Sequence, residues 1–172
     1  MILFVKVWGI RLEDAKRLYE KGLRTLEDLR NNSHLLTSYQ NLGLKYFEDT
    51  QISIPFDEVT KMFEIIKRCL YEILPEDAVE VKLCGSYRRK KTSCDDINVL
   101  ITRKDYGPFE NLLDTLLEKL KTINFIKDSL GFNKIFRFNS MKNQFYGICK
   151  LKEDLPFRRI EIKVILFNNL GV

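Results

Sequence analysis

The sequence predicts an α+β fold: a mixed β-sheet with helices packed on it, preceded by a smaller helical region. Apolar and polar residues alternate at every second position in Val79–Leu83, in residues 96–101 and in residues 158–165, which is typical of half-buried strands. Apolar residues instead recur at helical spacing in residues 56–74 and 106–120, as expected of amphipathic helices. Helices and strands mixed in this way indicate a layered α+β domain.

The N-terminal part of the chain carries helix signals. Residues 12–22 form an amphipathic pattern that ends at Gly22, a natural helix stop. Thr25 is expected to cap a second helix, and residues 32–49 predict a further helical region. Pro55 then marks a boundary, because proline interrupts a helix. We therefore predict two domains, residues 1–54 and residues 55–172.

Two later segments contribute to the predicted sheet with different clarity. Residues 144–151 alternate and predict a strand. Residues 125–138, with Gly131 in the middle, are ambiguous between helix and strand. No linker rich in Gly, Ser or Pro divides the chain, so the division into domains is inferred from the change in sequence pattern.

The charge of the chain favours a polyanionic partner without requiring one. The 172 residues include 29 basic and 24 acidic side chains, a formal net charge of +5. A modest basic excess is typical of nucleic-acid-binding proteins, and equally of an ordinary solvated surface. The hydrophobic content of 45% is sufficient for a globular chain with a buried core.

The cysteine pattern argues against zinc and disulfide frameworks. The four cysteines show no C-x-x-C spacing, and His34 is the single histidine. We therefore expect buried free thiols in a reducing compartment. No apolar run approaches the roughly 20 residues of a membrane span, and the apolar start is too short for a signal peptide, so a soluble intracellular protein without membrane contact is expected.

The most informative stretch lies between residues 84 and 102. A Gly85-Ser86 turn follows the first predicted strand, and the next strand carries Asp96 and Asn98 on one face. Two oxygen-bearing side chains on one face of a strand can hold a hard cation. A Gly-Ser turn facing them can bind phosphate through its N–H groups and hydroxyl.

This stretch resembles the nucleotidyltransferase signature, with nine residues between Ser86 and Asp96. The string Gly-Ser-Tyr-Arg-Arg at residues 85–89, together with residues 23–30 and 43–47 upstream, resembles the family X DNA polymerases, and in particular their lambda-like branch. The resemblance covers nearly the whole chain and keeps the order of motifs. It implies a helix-hairpin-helix region followed by a nucleotidyltransferase palm.

The resemblance also implies a catalytic and metal-binding set, Asp96, Asn98 and Glu161, with Mg²⁺ or Mn²⁺ as cofactor. The family places three aspartates at these positions, and only Asp96 keeps that residue type. Asn98 brings an oxygen without charge, and Glu161 is longer by one methylene, so we expect weakened two-metal catalysis. Asp95 is not a substitute, since strand alternation directs it to the opposite face.

By the same resemblance, Gly85, Ser86 and Arg89 match the positions that bind the phosphates of the incoming nucleotide. Asp95 stands where the family often has glycine, and its charge would repel phosphate. Arg159 matches the basic residue that orients the third carboxylate. Lys90 and Lys91 either add positive charge near the phosphates or belong to a solvated loop.

The family hairpin implies backbone contact with DNA through Lys6, Val7, Gly9, Ile10 and Arg11, with a monovalent cation held by hairpin carbonyls. The family usually has glycine where this chain has Arg11, which matters if that position needs a positive φ. Arg11 itself could reach a phosphate. The alternative is that the two helices only pack a small core.

The expected partners are gapped or nicked DNA with a primer 3′ end, and a deoxynucleoside triphosphate, bound by a monomer in the nucleus. The resemblance further implies that the family's lyase domain is absent and that the chain stops just after the third-carboxylate strand. We expect a family X polymerase acting in gap filling or end joining. A non-catalytic descendant that binds gapped DNA is the alternative, and an RNA-terminal nucleotidyltransferase is a third.

Overall fold

The computed structural model describes residues 3–89, 93–104, 111–133 and 143–165. The chain forms two compact units, Met1–Gln51 and Ile52–Val172. The described residues form helices throughout the first unit, and helices with a five-stranded mixed sheet in the second. The predicted α+β class is therefore confirmed.

The first unit contains short helices joined by capped turns. They are a 3-10 turn Phe4–Lys6, α1 Leu12–Glu20, α2 Leu26–Asn31, a 3-10 turn Ser33–Leu35, α3 Ser38–Lys45 and α4 Phe47–Thr50. Thr25 caps α2 as predicted, since its Oγ1 accepts from the Asp28 N–H at 3.0 Å. The helical region predicted over residues 32–49 is confirmed, but it is divided into separate helices, because Thr37 starts a new helix there by accepting from the Gln40 N–H.

Apolar side chains from all parts of the first unit form its own core. Phe4, Ala15, Leu18 and Leu29 are fully buried in it. Gly43 on α3 lies directly against the backbone of Trp8, since an added Cβ would be 2.9 Å from the Trp8 carbonyl carbon. The segment that precedes α1 therefore packs directly against α3.

The second unit begins with a long helix and continues as alternating strands and helices. Its elements are α5 Phe56–Tyr71, a 3-10 turn Glu76–Ala78, β1 Val79–Leu83, α6 Gly85–Arg88, β2 Ile97–Arg103, α7 Leu112–Thr122, β3 Ile126–Asn133, β4 Gln144–Cys149 and β5 Arg158–Ile165.

The five strands form one mixed sheet in the order β1-β2-β5-β4-β3. Strands β2 and β5 are parallel, and the other neighbouring pairs are antiparallel. Helices α5 and α7 contact each other, and their apolar faces join the inward-facing residues of the strands in one core. This arrangement leaves the opposite face of β2 and β5 free for polar side chains.

Several predicted boundaries shift in the structure. The predicted Gly-Ser turn is the first turn of the short helix α6, with Gly85 at a φ of 63°. The ambiguous segment at 125–138 contains strand β3, and residues 134–138 lie outside the described residues. Helix α7 is described from Leu112, so the predicted start at residue 106 lies outside as well.

The cysteines are free thiols, as expected, and all four lie in the second unit. Cys69, Cys94 and Cys149 are buried, whereas Cys84 is half-buried. None of the helices in the described ranges combines the length and apolar character that crossing a bilayer requires.

Candidate active site

Asn98 lies at the centre of the residues that the sequence singled out. The parallel register of β2 and β5 places it directly beside Glu161. Its side-chain Nδ2 donates a hydrogen bond to Asp96 Oδ1 at 2.8 Å. Because neighbouring residues of paired strands point to the same face, the structure brings the three predicted ligand positions together near the N-terminal end of β2 and the middle of β5.

Gly85 brings the start of α6 against this cluster. A Cβ at position 85 would lie 2.8 Å from Asn98 Nδ2, and the backbone φ of 63° favours glycine there. The Cys84 N–H also donates to the Asn98 carbonyl oxygen at 2.8 Å. The Gly-Ser segment therefore lies opposite Asn98, as the sequence motif predicts.

Ser86 lies on the short helix α6 and Arg89 directly follows that helix, so that their side chains meet. Arg89 Nη2 donates to Ser86 Oγ at 3.4 Å, a long bond between two accessible side chains. Tyr87 points elsewhere, with its ring against Phe56 and its hydroxyl 3.1 Å from Thr60 Oγ1. A guanidinium and a hydroxyl that meet only in this weak contact are free to bind an oxyanion instead. Lys90 and Lys91 lie outside the described residues.

Gln144 is a member of the site that the sequence did not reveal. Its Nε2 donates to Glu161 Oε1 from the neighbouring strand β4. The alternating pattern of residues 144–151 predicts a strand, but only the register of β4 on β5 places Gln144 on the face of Glu161. An amide donor therefore occupies one oxygen of each carboxylate, Asn98 on Asp96 and Gln144 on Glu161.

Arg159 contacts a different group from the one predicted. Its Nη2 donates to the Asp95 backbone carbonyl at 3.5 Å, whereas the hydrogen bond to Glu161 comes from Gln144. The Nε atom of Arg159 is buried and has no hydrogen-bond partner among the residues that the structure describes. Arg159 therefore lies next to the segment that leads into Asp96, with unused donor capacity.

The donor set fits a hard cation only at a cost. Two carboxylates and an amide oxygen are ligands that Mg²⁺ prefers, but they carry two charges. Asn98 would also have to turn its amide so that Oδ1, not Nδ2, faces the cation, which breaks its bond to Asp96. Among the described residues, no group of three His, Cys, Asp or Glu side chains gathers to bind a metal. The set suits one cation better than two.

In the first unit, several groups of the predicted hairpin, residues 6–11, are already buried or hydrogen-bonded within the unit. The side chains of Val7 and Ile10 are buried, and their N–H groups donate to the carbonyls of Phe4 and Val7. Gly9 is exposed, as are the side chains of Lys6 and Arg11. Arg11 has a φ of −84°, so the position where the family has a second glycine needs no positive φ here.

The comparisons with known proteins match both units. Residues 53–166 match the family model of the DNA polymerase beta palm, and residues 2–51 match the fingers domain of DNA polymerase lambda. The chain belongs to the family X DNA polymerases. The resemblance predicted from residues 84–102 and the upstream segments is thereby confirmed.

Two curated relatives of this family X chain extend well beyond it. The chain is 38% identical to DNA polymerase lambda of Arabidopsis thaliana over 164 residues, which are 94% of the chain and 30% of the relative. It is 29% identical to DNA polymerase lambda of Rattus norvegicus over 170 residues, 98% of the chain and 29% of the relative. The chain thus spans about 30% of the length of either family X relative.

Proposed function

We propose that the chain is the fingers-and-palm part of a lambda-like DNA polymerase. It adds deoxynucleotides to the 3′ end of gapped or nicked DNA, in gap-filling repair or end joining in the nucleus. The observation that carries this proposal is the convergence of Asp96, Asn98 and Glu161 on neighbouring strands, with the backbone of Gly85 packed against them.

Each residue of the candidate site has a separate role in nucleotide addition. Arg89 and Ser86 bind the phosphates of the deoxynucleoside triphosphate, where a guanidinium offers paired donors to phosphate oxygens. Asp96 and Glu161 supply carboxylate ligands for Mg²⁺ or Mn²⁺, with the Asn98 amide oxygen as a neutral third ligand. When bound, the metal supplies Lewis-acid activation of the 3′-hydroxyl and neutralises phosphate charge. Arg159 positions the segment that leads into Asp96 through its contact with the Asp95 carbonyl.

Catalysis in this arrangement is weak. Replacing a charged ligand by a neutral one removes electrostatic stabilisation from a transition state that gains negative charge. A loss of a few kcal/mol corresponds to roughly a hundredfold lower rate. The hydrogen bond from Asn98 to Asp96 adds to this loss, because it must break before the amide oxygen can bind a cation.

The proposal predicts that Asn98→Asp increases both cation binding and primer extension. A third carboxylate supplies the missing charge and removes the N–H donor, so we expect extension at least about tenfold faster than that of the native chain. In the absence of Mg²⁺ the variant should melt at a lower temperature, because two carboxylates then repel each other. Added Mg²⁺ should raise its Tm more than that of the native chain. Primer extension on gapped DNA and thermal melts over a Mg²⁺ series measure the two effects.

A charge-matched control is the double variant Asp96→Asn/Asn98→Asp. It has the same net charge as the native chain with the carboxylate moved to the other position, so it should gain neither the Mg²⁺-dependent Tm nor the extension rate. Equal Mg²⁺ stabilisation of native and Asn98→Asp chains would show that position 98 does not bind the cation.

A non-catalytic DNA-binding descendant is the second candidate. The observation that favours it is the pair of amide hydrogen bonds, from Asn98 to Asp96 and from Gln144 to Glu161, which stabilise both carboxylates without a cation. Binding of gapped DNA by both the native chain and Asn98→Asp, without primer extension by either, would support the non-catalytic candidate.

DNA binding through the first unit predicts a specific effect of Arg11. Replacing Arg11 by alanine should weaken binding of gapped DNA several-fold, and the slope of log K against log salt should fall by about one, because one phosphate contact is lost. Lys16→Ala is the matched control, since it removes one exposed positive charge from α1 outside the predicted surface. Fluorescence anisotropy over a salt series measures both slopes. Equal losses for the two variants would contradict a hairpin contact.

We propose no monovalent cation at the hairpin. The Val7 carbonyl accepts from the Ile10 N–H at 3.1 Å, and the Gly9 carbonyl accepts from Gln40 Nε2 at 3.1 Å. Two carbonyls of the hairpin thus already accept a hydrogen bond within the first unit, and each keeps only one lone pair for a cation.

A further inference from the structure

Strand β1 is an edge of the sheet. In the described part of the chain it pairs with β2 alone, and the order β1-β2-β5-β4-β3 leaves its other side open. An edge strand presents a row of backbone donors and acceptors that can pair with a further strand. The side chains of β1 determine which strand can pair with this edge.

The hydrogen-bond pattern shows which backbone groups face outward. The Lys104 N–H donates to the Ala78 carbonyl at 2.8 Å, and the Cys84 N–H donates to the Asn98 carbonyl at 2.8 Å. In an antiparallel pair, residues that bond to the partner alternate with residues that do not. Even-numbered residues of β1 therefore bond to β2, and the N–H and C=O groups of odd-numbered residues point to the open side, those of Val79, Val81 and Leu83.

The sequence of β1 is complementary to itself. When two copies of Val-Glu-Val-Lys-Leu run antiparallel about Val81, Val81 faces its own copy and Val79 faces Leu83. These odd-numbered positions are the ones with outward backbone groups, so each pair of odd-numbered residues in this register is a hydrogen-bonded pair. In the same register Glu80 of one copy lies directly opposite Lys82 of the other.

The charges strengthen this register. Within one chain Lys82 Nζ already lies 2.6 Å from Glu80 Oε1 on the same face. A second copy would place a lysine across from each glutamate, so that the four charges alternate in sign both along and across the strands. Opposite charges at directly facing positions stabilise antiparallel pairs, and like charges there destabilise them.

An apolar groove of about 650 Å³ follows the same edge on the helix side. Val81 and Leu83 of β1 line it together with Phe56, Phe63 and Tyr87. These side chains are only partly buried in the chain alone. A second β1 at the edge would bring its own Val79, Val81 and Leu83 next to this groove and cover part of it.

We propose that β1 is a self-association surface, through which two copies of this chain pair antiparallel about Val81 and join their sheets into one. The interface is small and the dimer correspondingly weak, with dissociation in the micromolar range or above. The monomer expected from the family resemblance is then the form present at low concentration.

The pairing has a geometric consequence for the candidate active site. Even-numbered residues of β1 point to the same face of the sheet as Asn98. The candidate active sites of both copies would therefore lie on one face of the joined sheet. Asn98 is bonded opposite Cys84, three residues beyond Val81. With strands about 4.8 Å apart and about 3.4 Å per residue, the two Asn98 residues would be about 25 Å apart.

Charge reversal tests the register. We expect the native 172-residue chain to show a concentration-dependent dimer in sedimentation equilibrium between about 5 and 500 µM. Glu80→Lys places lysine opposite lysine, and Lys82→Glu places glutamate opposite glutamate, so each variant alone should associate at least about tenfold more weakly. An equimolar mixture of the two variants should form a heterodimer, because every facing pair is then opposite in sign. The double variant Glu80→Lys/Lys82→Glu should again form a homodimer.

A backbone variant tests the edge independently of charge. Val81→Pro removes an outward N–H and leaves the β2 ladder intact, which is where an edge strand tolerates proline. We expect it to be monomeric with an unchanged circular dichroism spectrum. A native chain that stays monomeric to 500 µM would overturn the proposal. So would association that the charge variants and Val81→Pro leave unchanged, since the contact would then lie on another surface.

Discussion

Replacing Arg158 by methionine is expected to destabilise the second unit by about 3–5 kcal/mol. Arg158 is 3% exposed, and it donates from Nε and Nη2 to the two carboxylate oxygens of Glu58 at 2.8 and 2.9 Å. Its Nη1 also donates to the Ile52 carbonyl at 2.7 Å. Loss of the guanidinium leaves Glu58 buried and unpaired at the start of α5, and burying a single charge is among the most costly changes in a protein.

Thiol labelling measures this loss in the second unit. All four cysteines lie there, and burial raises the pKa of the Cys149 thiol, so Cys149 reacts only when the unit opens. Urea midpoints from the labelling rates give the change in the free energy of unfolding. The effect also concerns the site, because Arg158 is the first residue of β5, the strand that carries Glu161.

Two controls separate the ion pair from general damage. Arg159→Met alters the next position, which makes one long hydrogen bond of 3.5 Å within the described part of the chain, and it should cost less than about 1 kcal/mol. The double variant Glu58→Leu/Arg158→Met removes both charges and should recover most of the lost stability. If the double variant is as unstable as Arg158→Met, packing of the arginine stem, not charge, holds this region.

Gly43→Ala is expected to unfold the first unit or weaken it by about 3 kcal/mol. The added Cβ would lie 2.9 Å from the Trp8 carbonyl carbon, 3.0 Å from the Trp8 Cβ, and closer still to the Trp8 carbonyl oxygen. A backbone carbonyl cannot rotate away as a long side chain can. A unit of about fifty residues has little stability to lose. Alanine normally favours a helix over glycine, so destabilisation here reports the close approach and not helix propensity.

The single tryptophan makes the effect visible, because Trp8 lies at the altered contact. Its fluorescence during urea unfolding follows the first unit, while thiol labelling follows the second. Ser38→Ala, at an exposed position of the same helix, should stay within about 0.5 kcal/mol of the native chain. DNA binding that depends on the hairpin should be lost with Gly43→Ala at temperatures where Ser38→Ala still binds. A native-like urea midpoint for Gly43→Ala would contradict the packing described here.

The local elements were predictable wherever a short-range signal decides them. Strand β5 has the predicted bounds, and Thr25 caps α2 through its own hydroxyl, an interaction that spans three residues. The break at Thr37 was missed although Thr37 and Gln40 form a similar cap. Apolar residues on both sides of such a cap continue a helical pattern, so composition alone does not mark the interruption.

The members of the candidate site were predictable to a lesser extent. Asp96 and Asn98 are two residues apart, and the strand period places them together, as their 2.8 Å hydrogen bond shows. Gln144 lies seventeen residues before Glu161, and its contact depends on the register between β4 and β5. The partner of Arg158 lies a hundred residues away on α5 and had no signal in the sequence.

The amino-acid sequence by itself determined the family of this protein, the order of its elements and the identity of the side chains at positions 96, 98 and 161. These follow from motifs and periodicities that extend over a few residues. Tertiary structure alone decided which donors those side chains bond, which backbone groups of β1 stay open and why position 43 is glycine. Each of these depends on the register or approach of segments distant in the chain, and that geometry arises only when the core packs.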